Sequence, residues 1–341
     1  MKKQKGMVAV LWLVVVMVML LFWTSTATAQ QKPIKITYSH FFPVGNPVTD
    51  LIADWTKEVT KRTDGRVTFT IFPGSTLTPA DKCYDGVVKG ISGMGSSFVG
   101  FTKGRFPTME VLDLPLGFRS ARVALHLCQA IKKKFPLKEF DDTKLLYFQA
   151  GGPSLLHTKK PVTKLEDLKG MKIRSMGTTA KIVTALGGTP VALPMGDLYD
   201  ALAKGVVDAA IAPTSSLEGF RWGEVVKYTI EDWGAANSAA LFVVMNKNIW
   251  NSLPADVQGT IEKVSEEWIE RTAKVWEEYD KLGVAFAAKL GNQTLSLTKE
   301  ENERWAKHVR PTLDDFVDST KKRGLPGDQV LRFAIDFLKN Q

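Results

Sequence analysis

Arg174 is the residue whose chemistry is most informative in this sequence. It closes the segment Met171-Lys172-Ile173-Arg174, which reads as a short β-strand. A guanidinium is permanently charged and presents a planar fork, so it donates two parallel charge-assisted hydrogen bonds to one carboxylate, whereas a lysine offers only a point charge. Spacing alone favours an exposed or ion-paired arginine, because an isolated arginine is usually structural or solvated. Other parts of the sequence are therefore needed to assign Arg174 to a ligand.

Familiar catalytic and cofactor-binding motifs are absent from the sequence. G-x-S-x-G, H-E-x-x-H, C-x-x-C and the Walker loop do not occur, and Gly93-Met94-Gly95 lacks the third glycine of a dinucleotide-binding loop. The four histidines have no metal-ligand spacing, and His40 has no identified partner for acid–base chemistry. We therefore expect a protein that is not an enzyme and that uses no cofactor and no metal. A secreted enzyme stays open as the least favoured alternative.

Length and charge narrow the class of protein. The 341 residues exceed the roughly 250–300 at which one hydrophobic core stops growing, which predicts two lobes. The net charge is +9, but the basic runs Lys132–Lys134, Lys159–Lys160 and Lys321–Arg323 lie in different regions. Because they form no basic stripe with interleaved aromatic residues, we predict no nucleic-acid site.

The first 29 residues have the pattern of a secretory signal peptide. Lysines precede an apolar run from Met7 to Trp23, and Ala27-Thr28-Ala29 places small residues before a cleavage site. We expect cleavage after Ala29 and a periplasmic protein. The alternative is a retained anchor, because 17 apolar residues approach the ~18–20 needed to span a bilayer. Export leaves two states open for Cys83 and Cys128, a disulfide or two separate thiols.

Strand and helix patterns alternate along the rest of the chain, which predicts an α/β fold. Residues 34–38 read as the first strand, and the breaker Ala150-Gly151-Gly152-Pro153 reads as a crossing between lobes. A helical pattern from Ser252 to about Leu290 would span on the order of 55 Å, which favours a helix that bridges both lobes.

Candidate ligand contacts follow the predicted strands, because open α/β sheets bind ligands at their strand ends. For the aromatic residues among them, ordinary core packing is an equally weighted alternative. The candidates are His40, Phe41 and Phe42 after the first strand, Ser97 and Phe98 after another, and Trp233 and Asn237 before the apolar strand at residues 241–245.

Several motifs occur in order along the mature chain. They include Asp167-Leu168-Lys169-Gly170-Met171-Lys172-Ile173-Arg174, Leu186-Gly187-Gly188-Thr189-Pro190-Val191, the helix 197–202, Gly205-Val206-Val207-Asp208 and Val244-Met245-Asn246-Lys247. Together they resemble the extracytoplasmic solute-binding proteins of TRAP transporters, the DctP-type family. The resemblance covers essentially the whole mature chain.

The resemblance implies a two-lobed periplasmic-binding-protein (Venus-flytrap) architecture that closes on a ligand in the cleft. It implies lobe I at residues 30–151 plus about 238–278, and lobe II at 152–237 plus about 279–341. It also implies delivery of the ligand to a small and a large integral membrane subunit, driven by an ion gradient. A monomer is the default for such a shuttle, and a binding protein that serves a sensor or another transporter class is the alternative.

The resemblance also implies a ligand class. In the family, the arginine at the position of Arg174 holds the substrate carboxylate. Ser154 stands where many members have a second arginine, Met195 replaces a stacking aromatic residue, and Ala212-Pro213 replaces asparagine before proline. Fewer polar groups predict a monocarboxylate with an apolar or aromatic body, contacted by Arg174, Ser154 and Met195.

Overall fold

Two β-sheets carry the fold of the computed structural model, which describes residues 32–341 and Trp12. The first sheet has the strand order β2-β1-β3-β10-β4, and the second has the order β11-β9-β5-β8-β6-β7. The strands are β1 (Ile34–His40), β2 (Val67–Phe72), β3 (Met94–Phe98), β4 (Thr143–Ala150), β5 (Ser154–Thr158), β6 (Lys172–Arg174), β7 (Thr189–Val191), β8 (Ala209–Pro213), β9 (Tyr228–Glu231), β10 (Ala240–Asn246) and β11 (Gln293–Ser296).

Helices connect and cover the strands. The first begins behind Asn46, whose side chain accepts a hydrogen bond from the Val48 amide, and Pro47 occupies its first turn, where no amide donor is needed. The helices are α1 (Pro47–Arg62), α2 (Cys83–Val88), α3 (Ala121–Lys134), α4 (Thr179–Ala185), α5 (Leu198–Ala203), α6 (Ser216–Gly219), α7 (Lys247–Ser252), α8 (Ala255–Lys289), α9 (Lys299–Val309), α10 (Pro311–Lys321) and α11 (Gly327–Lys339).

The first sheet is mixed. β1 pairs with β3 in parallel, whereas β10 runs antiparallel to both β3 and β4. Every residue of β10 is buried, and its apolar sequence, from Ala240 to Met245, is typical of a strand with both faces covered. Helix α3 covers one part of this sheet, where Leu125 and Ile131 join a cluster of buried aromatic and aliphatic residues.

The second sheet has a smaller core of its own. β5 runs antiparallel to β8 and β9, and β6 lies parallel to β7 and β8. Leu156, Ile173 and Ile211 supply its buried side chains, and Trp305 of α9 packs onto them. β6 therefore ends inside the sheet, which fixes the position of its last residue, Arg174.

The chain passes between the sheets at two adjacent places. Gly151-Gly152-Pro153 joins β4 of the first sheet to β5 of the second, as the breaker in the sequence predicts. The return runs through Asn237 and Ser238 into β10, and Ser154 forms an isolated bridge with Asn237. A Cβ on Gly152 would overlap the carboxylate of Asp280 in α8, so glycine at this position lets the crossing lie against this helix while Asp280 keeps its place.

Helix α8 bridges the two lobes, in agreement with the sequence-based prediction. Its 35 residues span about 52 Å at 1.5 Å per residue. It packs against α1, α3 and β4 on one side and against α6 on the other. The predicted start is wrong by three residues, because Ser252 ends α7 and donates a hydrogen bond to the Ile249 carbonyl. Gly283 does not break the helix; it leaves room for the Thr214 carbonyl.

The last two helices differ from the division implied by the resemblance, which placed residues 279–341 with the second lobe. Phe316 of α10 and Val330, Leu331 and Ala334 of α11 belong to the buried cluster of the first sheet. Of the elements that follow α8, only β11 and α9 pack with the second sheet. The other lobe boundaries stay a prediction.

Two observations concern the predicted export segment. None of the helices within residues 32–341 is long and apolar enough to cross a membrane. The predicted signal peptide at residues 1–29, with its cleavage site after Ala29, lies outside the described residues.

Candidate functional site

A cavity lies between the ends of the two sheets, with about 690 Å³ of free space that is partly open to solvent, and we call it the cleft. Both lobes and α8 contribute to its wall, which is mainly apolar and aromatic with a few polar side chains. The lining residues are Phe42, Phe98, Gly100, Phe101, Asp113, Ser154, Arg174, Met176, Thr179, Met195, Ile211, Ala212, Pro213, Ser215, Ser216, Phe220, Asn237, Ala239, Trp276 and Tyr279.

Arg174 supplies the positive charge of the cleft. It ends β6 and is only 4% exposed. Its Nε donates a hydrogen bond to the Leu193 carbonyl at 3.0 Å, its Nη2 lies 3.2 Å from the Met176 sulfur, and its Cζ lies 5.9 Å from the Phe101 ring centroid. Within residues 32–341 it forms no salt bridge, and burial lowers its pKa to about 10. The guanidinium thus remains charged at neutral pH and has no counter-ion in this part of the chain.

Aromatic rings form the apolar wall of the cleft. The Phe98 and Phe101 centroids are 5.2 Å apart in an edge-to-face arrangement, and Phe42 meets Trp276 at 5.8 Å. The Trp276 indole donates to the Gln149 side chain at 3.2 Å, which holds the ring in place, and Tyr279 lies one helical turn further along α8. Such a wall accommodates a flat or branched apolar body.

The polar side chains of the cleft are few. Asn237 donates from Nδ2 to the Ser238 carbonyl at 3.0 Å and more weakly to Thr179 at 3.4 Å, while its Oδ1 has no partner among the described residues. Asp113 is 4% exposed, and burial raises the pKa of its carboxyl well above the ordinary range. No group of three or more His, Cys, Asp or Glu side chains in residues 32–341 is placed to hold a metal ion.

Six of the ten residues predicted from the sequence meet at the cleft. They come from six separate segments of the chain, which the folding of the two sheets brings to one cavity. These residues are Arg174, Phe42, Phe98, Ser154, Met195 and Asn237. That they contact a ligand stays a prediction.

The other four predicted residues do not line the cleft. His40 is the last residue of β1, where strand alternation turns it to the buried face with Tyr38. Phe41 packs behind Phe42 at a centroid distance of 4.1 Å. The remaining two are held elsewhere: Ser97 donates to the Ala80 carbonyl at 2.8 Å, and Trp233 lies under the Arg119 guanidinium. The geometry therefore gives no support for ligand contacts by these four.

Sequence reasoning missed several residues of the wall. Trp276 and Tyr279 lie three residues apart in a helical pattern, which by itself indicates one buried face but not what that face meets. Phe101 and Asp113 lie in short 3-10 segments without a periodic signal. Trp276 and Tyr279 could be identified as residues of the cleft only from the path of α8 along both lobes.

Contacts between the lobes close the mouth of the cleft. Gly177, just beyond β6, lies so near Gly100 that a Cβ would be 2.9 Å from the Gly100 carbonyl oxygen. On another side, Asn46 donates a hydrogen bond to the Tyr279 hydroxyl, and Gly219 of α6 approaches the same hydroxyl. Residues from both lobes thus touch beside the cleft, and we call this arrangement of the lobes the closed form.

Comparison with known proteins identifies relatives along most of the chain. The family described as bacterial extracellular solute-binding protein, family 7 (DctP), matches residues 38–320. The C4-dicarboxylate-binding periplasmic protein DctP of Rhodobacter capsulatus is 26% identical over 297 residues, which are 85% of this chain and 88% of that protein.

Solved structures agree with this match. A TRAP periplasmic solute-binding protein from Desulfovibrio salexigens is 33% identical, with a TM-score of 0.78 over 89% of this chain and 95% of that one. A TRAP solute-binding protein from Rhodoferax ferrireducens, in complex with copurified benzoate, is 27% identical, with a TM-score of 0.84 and coverages of 90% and 98%. One from Bordetella bronchiseptica with bound mandelate is 25% identical, with a TM-score of 0.83 and coverages of 90% and 99%.

Proposed function

The chain belongs to family 7 of the bacterial extracellular solute-binding proteins, the solute-binding proteins of TRAP transporters, and on that premise we propose that it binds an organic carboxylate in the cleft and delivers it to a TRAP permease. The observation that carries the proposal is Arg174, a buried cation without a counter-ion in the described part of the chain. The ligand's carboxylate would be that counter-ion.

Electrostatics support this role for Arg174. Removing a charged group from water costs several kcal/mol unless an opposite charge or hydrogen bonds compensate for it. In the closed form, the carbonyl of Leu193 and the sulfur of Met176 satisfy only part of the guanidinium. A carboxylate would accept the remaining N–H groups in the planar geometry that suits it.

The rest of the wall supports a ligand with an apolar or aromatic body. Phe98, Phe101 and Trp276 face the same space as Arg174. Ser154 stands at a position where a second arginine would serve a second carboxylate, so the cleft offers one strong cationic anchor. The benzoate and mandelate bound to the two relatives are monocarboxylates with an aromatic ring.

Closure links binding to delivery. A ligand stabilises the closed form only by its greater affinity for that form, so it must contact both lobes. Arg174 belongs to the second sheet and Phe98 to the first, and both line the cleft. The receptor would act as a monomer in the periplasm after cleavage behind Ala29. Its partners would be the small and the large integral subunits of the permease.

A thermal-shift and calorimetry series with benzoate, mandelate and succinate tests the proposal. Ligand at a hundredfold excess over Kd should stabilise the wild type by about 2.7 kcal/mol. Arg174→Ala should stay folded and lose this gain, and Arg174→Lys should weaken binding by roughly 10- to 100-fold, since a charge without the fork replaces a two-bonded contact.

Lys172→Ala is the matched control, because Lys172 is an exposed cation two residues earlier on β6. It should retain wild-type binding. Undiminished binding by Arg174→Ala would contradict the proposed anchor. A preference for succinate over both aromatic acids would contradict the proposed ligand class.

A further inference from the structure

Asp113 places an acidic side chain in the cleft, far from Arg174 in sequence. It ends the 3-10 segment Met109–Asp113 of the first lobe and is 4% exposed. A Cβ on Gly100 would lie 2.9 Å from its Oδ2, so the absence of a side chain at Gly100 leaves space for the carboxyl. No side chain or amide within residues 32–341 donates a hydrogen bond to it, and no cation there pairs with it.

The surroundings of Asp113 favour a neutral carboxylic acid. Burial is the main cause of its raised pKa, and the negative charge of Glu110, three residues earlier, adds to it. The thiol of Cys128 also lies close, and burial raises its pKa too. Lys181 and Arg323 act on Glu110 rather than on Asp113. A neutral carboxyl has one O–H donor and one carbonyl acceptor, and both are unused here.

A hydroxyl group on the ligand complements the O–H donor and the carbonyl acceptor of Asp113. It accepts a hydrogen bond from the carboxyl O–H and donates one to the carboxyl oxygen. A buried polar group without a partner costs free energy, so a ligand that supplies the partner gains over one that does not. No salt bridge joins Asp113 to Arg174, so each is available to a different part of one ligand.

The positions of the two residues also fit the closing motion. Asp113 belongs to the first lobe, whereas Arg174 ends a strand of the second sheet. A ligand bonded to both would therefore hold the lobes together. A ligand bonded to Arg174 alone would contact the first lobe only through the aromatic wall.

We propose that Asp113 is a specificity-determining residue that hydrogen-bonds a hydroxyl group of the ligand, so that the cleft prefers hydroxyl-bearing monocarboxylates to the same acids without the hydroxyl. This inference rests on the proposed function of the cleft as a carboxylate site. It adds the second anchoring point and a subclass of ligand.

Calorimetry with two matched pairs of acids tests the inference: benzoate with 3-hydroxybenzoate, and phenylacetate with mandelate. The wild type should bind the hydroxylated acid at least about tenfold more tightly in one pair or both, the scale of one good hydrogen bond to a buried group. Asp113→Leu and Asp113→Ala should bring the ratio of the two affinities within each pair close to one, whatever their effect on the affinity for the parent acid itself. Asp113→Asn, which keeps a donor and an acceptor, should retain the preference.

The outcomes separate this inference from the proposed function. Binding of the parent acid shows that each variant is folded. If the parent acids bind through Arg174 but the wild type shows no hydroxyl preference in either pair, or if Asp113→Leu and Asp113→Ala keep it, the role of Asp113 is wrong and the carboxylate site stands. If no acid binds the wild type, the proposed function and this inference both fall.

Discussion

Gly177 and Gly100 meet backbone to backbone across the mouth of the cleft. An added Cβ on Gly177 would lie 2.9 Å from the Gly100 carbonyl oxygen and 3.4 Å from its Cα. Gly177 follows the strand that ends at Arg174, and Gly100 follows β3 of the first sheet. The closed form therefore depends on two residues without side chains, one from each lobe.

Gly177→Ala is expected to weaken ligand binding by at least about tenfold, or ~1.4 kcal/mol. Its Cβ would meet backbone atoms only when the lobes close, so the clash penalises the closed form. Gly170→Ala is the matched control, because Gly170 also has a positive φ (76° against 56°) but open space around its Cβ position. Both variants carry a backbone strain of roughly 1–2 kcal/mol in either form. Titration calorimetry checks the difference, and equal affinities would refute closure through this contact.

Asp113→Asn is expected to raise the Tm of the ligand-free protein at pH 8 and to leave it unchanged near pH 4. Burial raises the pKa of Asp113 in the folded protein, so the folded state holds the proton more tightly than the unfolded state does. Stability is then lost as the pH rises above the ordinary aspartate value of about 3.9. Asp141→Asn, at an exposed position, is the control. A rise in the Tm of Asp113→Asn that is the same at pH 8 and pH 4 would contradict this explanation.

His40→Phe is expected to reduce acid sensitivity. Burial lowers the pKa of His40 to about 4, and neither ring nitrogen has a partner in the described residues. The unfolded state therefore binds the proton more tightly, and stability is lost as the pH falls from about 6.5 towards 4. By pH 5 this loss amounts to about 2 kcal/mol in the wild type.

Urea unfolding at pH 7.5 and 5 measures this effect as the change in the free energy of unfolding. Buried aspartates such as Asp232 and Asp280 change stability with pH in the opposite direction to His40. Their contributions cancel when His40→Phe is compared with the wild type, because both proteins contain them. His308→Phe, on an exposed position of α9, should behave as the wild type does. An equal acid loss in His40→Phe and wild type would show that His40 is not responsible.

The two cysteines are expected to be unreactive in the folded protein. Cys83 and Cys128 are both free and buried, which answers the alternative left open by the sequence in favour of separate thiols. Burial raises the pKa of Cys83 to about 12 and raises that of Cys128 as well. Because the thiolate is the reactive form, a thiol reagent at pH 8 should label neither residue until urea unfolds the chain. A Tm that falls on adding a reductant would instead indicate a disulfide.

Local sequence patterns predicted the helices and strands themselves better than the elements against which they pack. The alternation at residues 34–38 and the long helical stripe of α8 are both present, because such periodicities need only one buried face. The polar edge strand Gln293–Ser296 gave no such signal, since three of its four residues are exposed. The return of α10 and α11 to the first sheet was likewise not predictable, because an amphipathic helix does not specify which core it covers.

The candidate site was likewise only partly predictable from the sequence. The order of the motifs led to Arg174 through a family resemblance, and the strand-end rule led to Phe42 and Phe98. His40 does not line the cleft, because β1 continues two residues beyond the predicted strand and its alternation turns that side chain into the core.

The sequence by itself determined the α/β class, the long bridging helix, the family and the arginine of the cleft, because short-range periodicity and ordered motifs are properties of neighbouring residues. Only the tertiary structure decided that Asp113, Phe101, Trp276 and Tyr279 share a wall with Arg174, and that two glycines meet at its mouth. Burial and the pKa shifts that follow from it arise where separate elements pack together, as Arg174 of β6 does with the Leu193 carbonyl and with the Phe101 ring, and no local pattern encodes those contacts.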